Sequence, residues 1–125
     1  MSFRTCERNS APDALAPDGS EVRLLGATAR GSMAEFTLAP GAVSMPVRHR
    51  SVEEIWVFVR GTGRIWRKLD GREEVTPVQA GVSITIPVGT AFQFRCDGSE
   101  PLVAVGVTMP PWTGMEEAVS VAGKW

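Results

Sequence analysis

Short runs of β-branched and aromatic residues, separated every few positions by glycine, proline or aspartate, extend from residue 20 to residue 108. Residues of these types favour half-buried strands. The pattern predicts nine strands: Glu21–Leu25, Met33–Leu38, Val43–Arg50, Glu54–Val59, Arg64–Lys68, Glu74–Val78, Val82–Ile86, Ala91–Arg95 and Leu102–Thr108. Many short strands at this even spacing are typical of an all-β sandwich or barrel.

The two ends of the chain differ from this central region. Residues 1–19 are polar and rich in alanine, proline and aspartate, and they are predicted to form an N-terminal arm. A Pro-Pro pair, which cannot continue a strand, lies at the start of residues 109–125. We expect this stretch to be an extended C-terminal tail that packs on the barrel or on a partner subunit. The chain of 125 residues is therefore expected to be one domain, with its barrel in residues 20–108.

Charge and hydropathy exclude several classes of function. The formal net charge is -1 with a pI of about 5.8, which lacks the clustered positive charge of nucleic-acid-binding proteins. No apolar run approaches the ~20 residues of a membrane helix, and the first residues lack the apolar segment of a secretory signal. The two cysteines, Cys6 and Cys96, do not make a disulfide framework. We expect a cytoplasmic protein that binds neither nucleic acid nor membrane.

Two segments within the predicted strands begin at a glycine and carry defined spacings. The first segment has these key positions: Gly41, Val47, His49, Glu54 and Gly61. The second segment has these: Gly81, Pro87, Gly89 and Phe92. Every spacing resembles the paired motifs of the cupin family, which read glycine, His-x-His, glutamate, glycine in the first motif and glycine, Pro-x-Gly, histidine in the second. The resemblance implies the cupin fold, a double-stranded β-helix that forms a jelly-roll β-barrel.

The resemblance also implies a metal site, because three histidines and one glutamate hold the metal in cupins. This chain has Val47 and Phe92 where the first and last of those histidines would lie. Only Glu54 and His49, the one histidine of the chain, remain. We therefore expect no metal cofactor. If a metal is bound, His49 and Glu54 would be its ligands.

Side chains alternate between the two faces of a strand, so the residues in step with His49 should share its inward face. In cupins these inward faces line one cavity. Carried over to this chain, the cavity contains His49, Glu54 and a mostly aromatic set of predicted ligand-binding residues: Val47, Trp56, Phe58, Phe92 and Phe94. Two interpretations stay open, because aromatic rings can fill a closed core or line a cavity for a ligand.

His49 and Glu54 also allow two interpretations. They can be a mutually satisfied pair left over from a metal-binding ancestor, or a catalytic acid–base pair. Cupins related to deoxysugar epimerases combine a histidine base with a tyrosine acid. This chain contains no tyrosine, so that mechanism does not transfer as a whole.

Together these features predict a metal-independent cupin that binds a small organic molecule and forms a homodimer. The alternatives are an isomerase or lyase that uses His49 and Glu54 for proton transfer, a metal-dependent oxygenase or isomerase with a reduced ligand set, and an interaction module with a closed barrel. Side chains opposite the inward face of the Glu54 strand could form the dimer interface: Ile55, Val57 and Val59.

Two further groups are interpreted as structural. The strand arginines are expected on solvated or interface surfaces: Arg48, Arg50, Arg64, Arg67 and Arg95. Trp112 and Trp125 are expected to pack along the tail, although Trp112 could close the mouth of the cavity.

Overall fold

The computed structural model describes residues 2–125. Its regular structure consists of one short 3-10 helix, Met115–Glu117, and eleven strands. The strands are β1 (Ala14–Leu15), β2 (Glu21–Ala27), β3 (Ser32–Leu38), β4 (Val47–His49), β5 (Glu53–Arg60), β6 (Thr62–Leu69), β7 (Arg72–Gln79), β8 (Ser83–Ile86), β9 (Ala91–Cys96), β10 (Leu102–Met109) and β11 (Ala118–Ser120). Within residues 2–125, no helix has the length and apolar character needed to cross a membrane.

The strands form two antiparallel sheets with the core between them. The six-stranded sheet has the order β1-β2-β3-β10-β5-β8, and the five-stranded sheet has the order β11-β4-β9-β6-β7. Strands distant in sequence, such as β3 and β10, lie side by side, as expected when the chain crosses between the sheets of a jelly roll. The prediction of an all-β jelly-roll barrel is confirmed.

The predicted strand Val43–Arg50 is much shorter in the structure. Its first half makes only an isolated bridge to β9, and β4 begins at Val47. Pro46 has no N–H to donate to a strand ladder. Ser44 bonds to β9 partly through its side chain, since the Phe94 N–H donates to Ser44 Oγ over 2.9 Å. A proline and a side-chain hydrogen bond therefore replace regular pairing here.

Both ends of the chain contribute strands that the alternation of apolar residues did not predict. In the stretch 1–19, β1 pairs with β2. In the stretch 109–125, β11 pairs with β4 and brings Ala118 opposite His49. Because β4 is bordered by this tail strand, the tail becomes part of the sheet that carries the histidine.

Trp56 lies between the two sheets at the centre of the core. Its ring stacks on Phe36 with centroids 5.1 Å apart and an interplanar angle of 28°. Gly106, on the adjacent strand β10, makes room for this ring, because a Cβ atom there would lie 2.6 Å from Trp56 Cδ1. The large indole is thus accommodated by the absence of a side chain on its neighbour.

Candidate functional site

His49 and Glu54 meet at one end of the barrel interior. His49 ends β4 and Glu54 is the second residue of β5, so a short turn brings both side chains to the inner face. His49 Nδ1 lies 3.0 Å from Glu54 Oε2, and the side chains are 7% and 2% exposed. Despite this distance the orientation does not meet hydrogen-bond geometry, and neither atom has a hydrogen-bond partner within residues 2–125. Two buried polar atoms therefore face each other unsatisfied.

Glu117, in the tail, fixes the turn between these two residues. Its carboxylate accepts hydrogen bonds from the Ser51 N–H, the Ser51 hydroxyl and the Val52 N–H. Burial alone raises the pKa of Glu117, but these hydrogen bonds outweigh burial, so the pKa lies below its usual value. Sequence analysis missed this residue, because a glutamate in a polar tail carries no sign that it will accept three hydrogen bonds from a distant turn.

Two aromatic rings enclose the imidazole of His49. Phe92 approaches it edge-on with centroids 5.3 Å apart, and Trp112 approaches at 5.2 Å with an interplanar angle of 68°. The backbone N–H of Trp112 donates to Ser32 Oγ over 3.0 Å, in a stretch that has no regular secondary structure. Trp112 therefore lies over the histidine, and its closing the mouth of a cavity stays a prediction.

The predicted cavity residues come together in the barrel interior, where all seven are buried: Val47, His49, Glu54, Trp56, Phe58, Phe92 and Phe94. The Trp56 ring meets Phe58, Phe92 and Phe94 edge-on, at centroid distances of 6.1, 5.8 and 5.1 Å. These rings fill the centre of the barrel. In the structure the aromatic residues therefore form a closed core and do not line an open cavity at the barrel centre. Their role in ligand binding stays a prediction.

Another buried carboxyl, that of Asp18, lies within electrostatic range of the pair. Asp18 Oδ1 accepts hydrogen bonds from the Ser20 N–H at 2.9 Å and the Ser20 hydroxyl at 2.7 Å. Burial raises the pKa of Asp18 against the opposing effect of these bonds, and the charge of Glu54 raises it further. Sequence analysis missed Asp18 because it belongs to the polar stretch that was predicted to be an arm.

Arg67 also points inward, whereas a solvated or interface position was expected. It is the cross-strand neighbour of the inward-facing Phe92. Its guanidinium donates to the Thr85 carbonyl oxygen at 2.9 Å, to Glu74 Oε1 at 3.0 Å and to Thr76 Oγ1 at 3.2 Å. The sequence does not show which face of β6 the Arg67 side chain occupies. The glycine-rich turn before β6 can change which of the following side chains point inward.

The donor atoms do not fit the metal site that the cupin resemblance implies. The 3.0 Å separation of His49 Nδ1 and Glu54 Oε2 would suit two neighbouring ligands, since bonds of about 2.1 Å at right angles place their ligands about 3.0 Å apart. However, no group of three or more histidine, cysteine, aspartate or glutamate side chains within residues 2–125 could hold an ion. Val47 and Phe92, at the positions of the missing histidines, are buried cross-strand neighbours. The distance between the two ligating atoms therefore suits a metal ion, but the number of ligating side chains is too small.

A surface depression of about 290 Å³ lies on the outer side of the six-stranded sheet rather than inside the barrel. Its lining is mostly apolar and includes one serine: Met33, Ile55, Trp56, Val57, Ser83, Val105, Val107 and Met109. A second depression, of about 150 Å³, adjoins it at Ile55 and Met109 and includes Glu54 in its lining. Neither of these two depressions has His49 in its lining.

Comparison with solved structures shows what this fold is similar to. BH2720 from Bacillus halodurans is 20% identical, with a TM-score of 0.68 over 74% of this chain and 72% of that one. Oxalate decarboxylase from Bacillus subtilis is 21% identical, with a TM-score of 0.70 over 82% of this chain but only 28% of that one. Oxalate oxidase in complex with the substrate analogue glycolate is 23% identical, with a TM-score of 0.67 over 79% and 55%. At these identities the similarity concerns the fold alone.

Comparison with curated proteins finds no match. The family profile described as "Cupin domain" matches residues 34–108, more than half of the chain, and spans both glycine-anchored segments. The sequence motifs, the two-sheet barrel and the structural neighbours agree with this match. The chain belongs to the cupin family.

Proposed function

We propose that this protein binds a small organic molecule at the His49–Glu54 end of the barrel and does so without a metal ion. The observation that carries the proposal is the pair of buried, unpartnered atoms, His49 Nδ1 and Glu54 Oε2, enclosed by aromatic rings. A buried polar group without a partner costs about 1–3 kcal/mol. A ligand that hydrogen-bonds to both groups would recover that cost. Aromatic walls with one or two polar groups are the usual composition of small-molecule sites.

The closed core limits where such a ligand can bind. The rings around Trp56 fill the barrel centre, so the space must come from the end of the barrel, where Trp112 covers His49. Trp112 is held there by one backbone hydrogen bond to Ser32. A small, partly apolar ligand would displace the Trp112 ring, contact Phe92 with its apolar part and direct its polar end to the imidazole and the carboxylate.

Fragment binding followed by NMR tests this proposal. The probes are small alcohols, amides and carboxylic acids that carry an aliphatic or aromatic group, and the signal is the indole N–H resonance of Trp112. We expect fragments that shift this resonance to lose most of their affinity in Glu54→Gln. The matched control is Glu53→Gln, at the exposed neighbouring position, which should bind like the wild type. Equal binding to both variants would contradict the proposal.

Metal content tests the metal-independent part separately. Elemental mass spectrometry measures the metal content per chain of untagged protein that has not been exposed to a chelator or a nickel resin. We expect manganese, iron, nickel, copper and zinc to be far below one ion per chain. Near-stoichiometric metal that disappears in Glu54→Gln would overturn this part and favour an oxygenase or isomerase with a reduced ligand set.

Proton transfer is a second candidate function, supported by the 3.0 Å approach of His49 Nδ1 to Glu54 Oε2. A positioned imidazole–carboxylate pair of this kind can move a proton to or from a substrate. An isomerase or lyase of this type would show a bell-shaped pH dependence. It would lose activity in His49→Ala while its fold remains intact, and turnover that survives this substitution would contradict the mechanism.

We also propose that the protein forms a homodimer through the outer face of the six-stranded sheet. Ile55, Val57 and Val59 are 48%, 38% and 48% exposed and lie in one row on this face. Exposed apolar patches of this kind are typical of interaction sites. Sedimentation should find a dimer that Val57→Lys dissociates. The control Val75→Lys changes an equally exposed valine of the other sheet, and a wild-type monomer would contradict the proposal.

The cytoplasm is the compartment we propose for this protein. Cys6 and Cys96 are both free thiols, and thiols persist in a reducing compartment. Fractionation of the source cells should recover the protein with cytoplasmic markers, and its recovery from an oxidising compartment would contradict this location.

A further inference from the structure

The last residues of the chain lie across the outer face of the five-stranded sheet, where Gln93 binds them. Gln93 points away from the core, because the flanking Phe92 and Phe94 point inward and side chains alternate along a strand. Although it lies on an outer face, Gln93 is only 2% exposed. Residues 123–125, which we call the strap, supply the chain that covers it.

The side-chain amide of Gln93 uses its full hydrogen-bonding capacity. Its Oε1 atom accepts from the backbone N–H groups of Lys124 and Trp125 at 2.9 and 3.0 Å. Its Nε2 atom donates to the Ser44 carbonyl oxygen at 2.9 Å and to the main-chain oxygen of Trp125 at 3.2 Å. Three of the four bonds go to the strap, so the strap backbone supplies most of the hydrogen-bond partners of this buried amide.

Trp125 rests on a platform of two arginines joined by an aspartate. The guanidinium carbons of Arg64 and Arg95 lie 5.5 and 5.4 Å from the centroid of the indole ring, within the range of cation–π attraction. Asp97 accepts from Arg64 Nε at 2.7 Å and from Arg95 Nε at 2.8 Å. The hydrogen bond from Arg64 holds the pKa of Asp97 below its usual value, so the carboxylate stays charged and offsets the repulsion between the arginines.

The strap position before Lys124 has no room for a Cβ atom unless its neighbours shift. A Cβ atom at Gly123 would lie 2.6 Å from Gln93 Oε1 and 2.7 Å from Pro46 Cγ. Lys124 itself is exposed and uses only its backbone N–H. The surface therefore favours glycine, then any residue with a backbone N–H, then tryptophan.

We propose that this face of the sheet is a peptide-binding slot specific for Gly-x-Trp, filled here by the chain's own strap, and that it binds a Gly-x-Trp segment of another protein when the strap is displaced. Recognition combines backbone hydrogen bonds for affinity with side-chain selection for specificity, as peptide-binding surfaces generally do. A ligand tethered by a short linker acts at an effective concentration of about 1 mM. A free peptide competes poorly with such a ligand, so weakening the strap should make the slot available.

The test uses the full chain and a fluorescein-labelled peptide, Val-Ala-Gly-Lys-Trp, followed by fluorescence anisotropy. Trp125→Ala removes the ring from the platform, and Gly123→Ala introduces the clashing Cβ atom, so the two variants weaken the strap by independent means. Lys124→Ala is the matched control, because it changes an exposed strap side chain and keeps every hydrogen bond to Gln93. Two altered peptides, with alanine in place of the glycine or of the tryptophan, test the specificity of the slot.

Both strap variants should bind the labelled peptide at least about 10-fold more tightly than the wild type and Lys124→Ala, because they relieve competition from the tethered ligand. Either alanine-containing peptide should bind at least about 10-fold more weakly than the original. The proposal is overturned if neither strap variant binds the peptide at about 1 mM, the effective concentration of the tethered strap. Wild-type protein that binds as tightly as the variants, or altered peptides that bind as well as the original, would also overturn it. If one variant does not fold, the other decides the result.

Discussion

Removing the Glu117 carboxylate measures how firmly the tail holds the site end of the barrel. Glu117→Ala leaves the N–H of Val52, which is 1% exposed, without its partner. An unsatisfied buried donor costs about 1–3 kcal/mol, and the lost charge-assisted bonds add about 1 kcal/mol. Ser51 is exposed, so its freed groups can turn to water. We expect the free energy of unfolding to fall by about 3 kcal/mol.

Urea and thermal unfolding, followed by tryptophan fluorescence, measure this loss. With an unfolding entropy of ~2.1 cal/mol/K per residue, about 3 kcal/mol lowers the Tm of this chain of 125 residues by about 11 °C. Glu117→Gln keeps an amide oxygen for the backbone donors and should lose only about 1 kcal/mol. The control Glu116→Ala removes an exposed neighbouring carboxylate and should unfold like the wild type. A Glu117→Ala protein within about 0.5 kcal/mol of the wild type, the range of ordinary surface substitutions, would refute the reasoning.

The same comparison has a defined pH dependence. The pKa of Glu117 is lower in the folded state than its ordinary value of 4.5. The stabilisation by its carboxylate is therefore complete above the unfolded pKa and is lost as the pH falls through the folded pKa. The difference in stability between the wild type and Glu117→Gln should be constant near neutral pH and disappear in acid. A difference that persists in acid would show that the charge is not its source.

Three further variants test other parts of the structure. Gly106→Ala places a Cβ atom 2.6 Å from Trp56 Cδ1. Urea unfolding should show that the free energy of unfolding falls by about 1–3 kcal/mol. Unchanged stability would contradict the close packing of Gly106 against Trp56. Val47→His combined with Phe92→His completes the four-donor set of the family and should bind about one Mn²⁺ or Zn²⁺ per chain by calorimetry; no uptake would contradict the assignment of those positions. Burial raises the pKa of Asp18, so its ionised form destabilises the folded state as the pH rises through the unfolded pKa. Asp18→Asn should raise the Tm near neutral pH but not in acid, and a lower Tm near neutral pH would contradict this sign.

The barrel was predictable because its strands are local features. Alternation of apolar and polar residues along β5 predicts which side chains face inward, and Trp56 and Phe58 are indeed buried there. Gly61 shows why the motif spacing is informative. Its φ angle is +82°, and a Cβ atom there would lie 2.3 Å from the Pro101 carbonyl oxygen. A glycine at that position is required by the geometry of the chain, so the spacing of such glycines carries information about the fold.

The candidate site was predictable only in part. Its central pair, His49 and Glu54, followed from the motif. Glu117 did not, because its partners lie 65 and 66 positions earlier in the chain. Arg67 was assigned to the wrong face, since a turn between two strands can change the phase of alternation without any change in composition.

The sequence by itself determined the all-β fold, the inward set of aromatic residues, and the presence of Val47 and Phe92 where the family motifs have histidines. Each of these depends on residue type and spacing along a short stretch of chain. Only the tertiary structure decided that the barrel centre is closed, that Trp112 covers the histidine, and that Gln93 binds the strap. These properties depend on distances between segments that are remote in sequence, and such distances are set by how the two sheets and the tail pack together.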